Sequence, residues 1–275
     1  VKGACPRMLP PPLGERGGHP RNSAEHVVGR ISTEPRKYNL AGLQRLVRGI
    51  PVPAQKKHIT ISDLVRVHAC PVRYFFERDE PFTESDRYAV CKQLSYHLGD
   101  PLDAEVIWAE ILVVRPKIDP ALREFLDICI RACNKGTWQP AEETDARVHS
   151  EKQEFAGMID RILPDGSFSI VRAAGALPSG TYAADRLRVA AIALCLEEMT
   201  GNEVKGGHVE YIPDGVSRYH TVQPRDLRQL ITTLYKIRFM RDGELPKHPL
   251  NAPCVRCKYM ERCESARGHR LSDLL

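Results

Sequence analysis

Cys254, Cys257 and Cys263 form a Cys-x2-Cys-x5-Cys run, the densest group of metal-binding side chains in the sequence. Two thiolates separated by two residues can reach one ion or one edge of a cluster, and the third closes a face. Structural metal sites usually close with four ligands, so a fourth must come from elsewhere. Cys70 is the distinctive candidate, at the end of an expected helix, before Pro71 and at the start of the globular sequence. His248 or His269 would complete a zinc site instead. Cys91 and Cys195 read as core residues in apolar helical settings. Cys129 and Cys133 are one helical turn apart and read as packing, with a second metal pair as the alternative. Cys5 lies in an N-terminal arm. Nine cysteines in 275 residues suit a reduced, cytoplasmic setting with some ligand thiols better than a disulfide framework.

The elements that must position these residues can be read from periodicity. Residues 1–57 hold 11 Lys+Arg against 3 Asp+Glu, and the first 53 residues contain 8 of the 21 prolines. That composition reads as a poorly ordered basic arm, a possible electrostatic contact for nucleic acid or simply a solvated tail. Within it Met8 is a candidate start, and Leu40, Leu43, Val47 and Ile50 have helical spacing. The globular part starts at His58. Ser62 is the expected N-cap of a short helix running to Cys70, followed by the aromatic group Tyr74, Phe75 and Phe76. Residues 85–99, 103–113 and 120–134 read as helices, the last lined by Leu122, Phe125, Leu126, Cys129, Ile130 and Cys133. Strands follow at 146–150, 155–163 and 167–171, then a helix at 182–199. Short strands are expected at 207–213 and 219–222. A final helix, 224–241, is expected to bury Leu227, Leu230, Ile231, Leu234 and Ile237. The order describes an α/β core with a helical insertion near its start.

Hydrophobic residues are 42% and charged residues 27%, an ordinary globular balance. No apolar run approaches the roughly 20 residues of a membrane helix, and no apolar signal segment stands near the start. The formal net charge of +5 is uneven, because residues 58–275 hold 29 Lys+Arg and 32 Asp+Glu.

Cys70-Pro-x-x-Tyr74-Phe75, His97, Ser150–Arg161, the strand 167–171 and Val209–Pro213 occur in a recognisable order, closed by the cysteine triplet. Together they resemble the CRISPR-associated RecB-like exonucleases (the Cas-four family) of the PD-(D/E)xK nuclease superfamily, over roughly residues 58–265. The resemblance implies a restriction-endonuclease-like core with an N-terminal helical insertion and a cysteine-rich iron–sulfur tail at 250–265, with 266–275 beyond it. It favours a [4Fe-4S] cluster on Cys70, Cys254, Cys257 and Cys263 over zinc. It further implies metal-dependent phosphodiester hydrolysis, mostly of single-stranded DNA ends, in which two strand carboxylates and a histidine bind Mg²⁺ or Mn²⁺ and a lysine orients water. His97 matches the histidine and Asp160 the first carboxylate.

The next motif departs from that pattern. Arg172 stands where the second carboxylate belongs and Ala174 where the lysine belongs; residues 166–184 contain no Asp, Glu or Lys. Arg188 and Ile192 replace the Gln and Tyr of a DNA-holding helix. A guanidinium beside the intended cation repels it by roughly 4 kcal/mol per unit-charge pair at about 4 Å and an effective dielectric of 20. Arg172 is therefore expected to pair with Asp160 in the metal's place. The leading expectation is a nuclease-fold protein that retains its cluster and has lost hydrolysis, binding DNA through Arg172 and Arg188 or serving CRISPR adaptation or repair as a non-catalytic subunit. Two alternatives stand beside it. An active exonuclease would need a lysine or carboxylate within about 4 Å of Asp160, with Glu151, Glu154 and Lys205 as candidates. A metal-pinned scaffold would bind protein alone.

Overall fold

In the computed structural model the described residues are 58–266, apart from 82, 242, 250, 251 and 253. The basic arm, with Cys5, Met8 and its 40–50 segment, lies outside them, as do His269 and the last residues. The chain begins with β1 (Ile59–Thr60), α1 (Ile61–Ala69) and α2 (Pro71–Glu77). Three helices follow: α3 (Asp86–Ser95), α4 (Ala104–Val114) and α5 (Leu122–Cys133). Then come β2 (Glu143–Ser150), β3 (Phe155–Ile162), β4 (Phe168–Arg172) and α6 (Ala183–Thr200). β5 (Gly206–Tyr211), β6 (Val216–Thr221) and α7 (Pro224–Arg241) complete the body, and α8 (Met260–Ala266) ends the tail. The result is a mixed α/β protein built on one mixed sheet. No helix among the described residues is long and apolar enough to cross a membrane.

β2, β3 and β4 form an antiparallel run, β5 joins β4 in parallel, and β6 closes the far edge antiparallel to β5. β1 pairs in parallel with the start of β3, at Phe155 and Ala156. The pairing of β3 with β4 covers only Arg161 and Ile162. One side of β3 is thus held at both ends by different strands and is open between them. That gap underlies the cleft described below.

Alternation along the strands sorts the side chains onto two cores. Ala146, Val148, Phe155, Ile159, Phe168 and Ile170 pack with α1, α6 and α7. α3, α4 and α5 build a second core of their own, which meets the sheet through Val171 and Ile212. Cys91, Cys129, Cys133 and Cys195 are buried in these cores as free thiols. Burial pushes the Cys133 and Cys195 thiols up to about 12, and the Cys129 thiol raises Cys91 as well, so all three remain protonated.

Two local expectations change. The N-cap of α1 is Thr60, not Ser62; its hydroxyl accepts from the Asp63 N–H while the Asp63 carboxylate accepts from the Thr60 N–H, a complete capping box. The two-residue strand β1 sets this cap two residues earlier than composition suggests. In α7 the buried side chains are Leu230, Thr233, Leu234, Ile237 and Met240, whereas Leu227 and Ile231 are 40% and 48% exposed. The helix is rotated because Asp226 is buried at its start, accepting the Gln223 N–H and bonding His220.

Candidate functional site

A cleft of about 1340 Å³ opens over the gap in β3, between the sheet and α1, α3 and the loop following α2. Its floor carries Arg147 and Asp145 from β2, Met158 and Asp160 from β3, and Arg172 from β4. Gly157 is required here: a Cβ at this position would lie 2.4 Å from Ile61 Cδ1. Beyond the Arg161–Ser169 pair the β3–β4 ladder parts, and Asp160 Oδ2 accepts the Val171 N–H at 2.7 Å in place of a strand partner.

The β2–β3 register sets Thr144 against Arg161 and Ala146 against Ile159, which places Asp145 opposite Asp160. That pair is missing from the ladder, and Asp145 has a left-handed backbone (φ 57°). Facing carboxylates destabilise a sheet unless a cation lies between them. Lys92, from α3, supplies it: its ammonium is 2.6 Å from Asp145 Oδ1 and 2.6 Å from Asp160 Oδ1. Tyr88 donates to Asp160 Oδ1 at 3.1 Å and Tyr96 to Asp145 Oδ2 at 2.7 Å. Burial and the neighbouring carboxylates raise both phenols well above their ordinary value, which keeps them as donors.

Arg172 does not pair with Asp160. It turns to α6, where its Nε is 2.6 Å from Asp185 Oδ1. Arg188 reaches the same oxygen at 3.2 Å, and the Tyr211 hydroxyl donates to Oδ2 at 3.0 Å. The physical reason is burial. Asp185 has no exposed surface and needs countercharge, whereas Asp160 already has Lys92. Burial and the adjacent Arg172 lower the Arg188 pKa. Two guanidinium groups share one carboxylate, so this side of the cleft retains one positive charge. Ala174 also lines the cleft and leaves no lysine there.

His97 lies beyond α3, with Nε2 2.7 Å from Glu110 Oε2, and is not among the residues lining the cleft. Glu151, Glu154 and Lys205 are exposed and do not line it either. Sequence reasoning missed Lys92, Asp145 and the two tyrosines. Their partners lie up to 72 residues away in the chain, and no local spacing signals them. The lining as a whole is close to balanced, with seven Lys or Arg and six Asp or Glu. Most of these charges are paired with one another, as Lys92 is with Asp145 and Asp160. Arg147 projects from β2 with its side chain exposed.

At the opposite end of the chain, Cys254, Cys257 and Cys263 are half-buried free thiols. Cys70 is 7% exposed and caps α2, its Sγ accepting the Arg73 N–H at 3.4 Å. The tail packs beside this helix: Tyr259 stacks on Phe76 with ring centroids 5.9 Å apart, Arg262 lies over Phe76, and Lys258 pairs with Glu80 at 2.7 Å. His248 Nε2 is 3.3 Å from Cys254 Sγ. The donors are of the right type for a thiolate-bound metal, yet among the described residues no three His, Cys, Asp or Glu side chains converge into a metal-binding group.

No family model and no curated protein matches this chain. Among solved structures it is similar to a crystal structure from Eubacterium rectale described as a "Putative exonuclease", with a TM-score of 0.49 and 10% identity over 76% of this chain and 94% of that one.

Proposed function

We propose that this chain is a nuclease-fold protein that binds nucleic acid in the β3 cleft without hydrolysing it, as a non-catalytic DNA-binding subunit in repair or CRISPR adaptation. One observation carries this reading: Lys92 occupies the position between Asp145 and Asp160 where a divalent ion would join two carboxylates. An ammonium held 2.6 Å from both oxygens repels a second cation from that position and neutralises one of the two carboxylate charges. The strand–strand–strand–helix–strand order of β2 to β5 supports the nuclease-fold assignment. Arg147 and the surplus charge of the Arg172–Arg188–Asp185 group are the contacts available to phosphate. In the same proposal Cys70, Cys254, Cys257 and Cys263 hold an iron–sulfur cluster, with zinc as the competing metal. The free thiols and the packing of the tail beside α2 support it.

A second reading has its own support, because Lys92 also meets the condition for a displaced catalytic lysine. In that case Asp145, Asp160 and Lys92 would form a working Mg²⁺ or Mn²⁺ centre with Lys92 turned toward water. One preparation separates the two. The purified chain should shift the anisotropy of a labelled single-stranded oligonucleotide at low salt, and Arg147→Glu should weaken that binding several-fold. The oligonucleotide should survive incubation with Mn²⁺. Nucleotide release that disappears in both Asp160→Ala and Lys92→Ala would establish the second reading. Iron, sulfide and zinc contents of the same sample identify the tail metal.

A further inference from the structure

A second pocket, of about 530 Å³, lies at the β6 edge of the sheet, and none of its lining residues lines the cleft. Three guanidinium groups converge on it from three elements: Arg186 of α6, Arg218 of β6 and Arg225 of α7. The hydroxyl-bearing Ser179 and Thr181 complete the wall. The loop before α6 fixes two of the arginines. Arg218 Nη1 donates to the Gly180 carbonyl at 2.6 Å and Arg186 Nη1 to the Thr181 carbonyl at 2.8 Å.

The charges do not cancel. Among the described residues the carboxylate paired with these arginines is Asp226, with Oδ1 3.4 Å from Arg186 Nε and 3.9 Å from Arg225 Nε. Its Oδ2 is occupied by His220 Nε2 at 2.9 Å and by the Gln223 N–H at 3.0 Å. Arg218 makes no ion pair among the described residues. Three cations therefore face one buried anion, and two positive charges remain. Each of the two tethered guanidinium groups spends one N–H on a loop carbonyl out of the five it carries. The first turn of α6, next to Thr181, has no side-chain cap, so its positive end adds to the same field. The volume lies within the roughly 300–1,000 Å³ common for small-ligand sites.

We propose that this pocket binds a phosphate monoester, with Arg186, Arg218 and Arg225 taking the phosphate. The ligand can be a free phosphate compound or the phosphorylated end of a strand. The assignment is independent of the cleft and survives if the cleft binds nothing.

The test titrates the full chain at low salt with dAMP, inorganic phosphate, and matched oligonucleotides bearing a 5′-phosphate or a 5′-hydroxyl. Arg218→Gln and Arg225→Gln are the variants, and thermal melting checks their fold; Arg225 is 68% exposed, and buried Asp226 keeps Arg186, His220 and the Gln223 N–H as partners without it. Each variant should weaken binding about tenfold or more with melting unchanged, as expected for losing a charge-assisted contact. A 5′-phosphate preference that is lost in Arg218→Gln and kept in Arg147→Glu identifies a strand end. Binding of dAMP or phosphate without an end preference identifies a free phosphate compound. Failure of every probe to bind, or binding indifferent to both variants, overturns the proposal.

Discussion

Lys92 decides the character of the cleft. It bridges two carboxylates that the β2–β3 register forces to face each other, and its side chain is only 14% exposed. Removing one partner of such a group leaves unpaired charge in a largely dry setting, typically about 3 kcal/mol or more. Lys92→Ala should therefore lower the melting temperature in metal-free buffer, and Mn²⁺ should restore much of the loss by binding Asp145 and Asp160. Calorimetric titration with Mn²⁺ reads this directly; equal affinity in wild type and variant would mean that the two carboxylates do not converge as a metal pair. Glu210 is the second residue-level case. It pairs with Arg161 Nη1 at 2.6 Å, yet burial raises its pKa to about 7. A carboxyl raised in the folded state holds a proton that the unfolded chain releases. Its contribution to stability is complete below the ordinary carboxyl range near pH 4.5 and is lost as pH rises through about 7. Melting temperature should fall over that window in wild type, and Glu210→Gln should flatten the slope.

At the level of elements, the crossing of α1 over β3 leaves no room for a side chain. Gly157→Ala would bring a Cβ against three atoms of Ile61, the nearest at 2.4 Å. Overpacking of this kind typically costs about 1–3 kcal/mol, and because α1 walls the cleft it should also weaken oligonucleotide binding. Denaturant melts with anisotropy on the same samples check both effects, and wild-type stability would show that α1 shifts freely. The capping box makes a smaller, separable claim. Thr60→Ala should cost about 1 kcal/mol without touching the cleft floor. Most of these elements are legible from periodicity, because a helix or strand face repeats within a few residues. The rotation of α7 and the cap of α1 are not, since each is set by a partner elsewhere: buried Asp226 bonded to His220, and β1 paired with Phe155.

For the whole molecule, long-range polar contacts reinforce the packing that joins its parts. Buried Arg161 reaches from β3 to the carbonyls of Leu98 and Gln139, joining the α3–α5 core to the sheet. The tail is held beside α2 by Tyr259, Lys258 and Arg262. Tyr259→Ala should release it, and limited proteolysis should then cut after residue 245 faster than in wild type while the body stays intact. If the tail also carries metal, a strong chelator should reproduce that cleavage pattern in the wild-type protein. Identical digestion of wild type and variant would show that the ring contact does not hold the tail.

The sequence by itself determined the order of most elements, the burial of the thiols at Cys91, Cys129, Cys133 and Cys195, and the lack of Asp, Glu or Lys in residues 166–184. All of these depend on residue type and spacing within short stretches of chain. Only the tertiary structure decided which charges meet. Arg172 belongs to Asp185 rather than Asp160, and Lys92 rather than Arg172 lies at Asp160, while His97 serves Glu110 outside the cleft. The three arginines of the β6 pocket come from three elements and show no common spacing. Ion pairs act across folded space at a few ångströms, and chain separation carries no information about them until the sheet register and helix rotations are set.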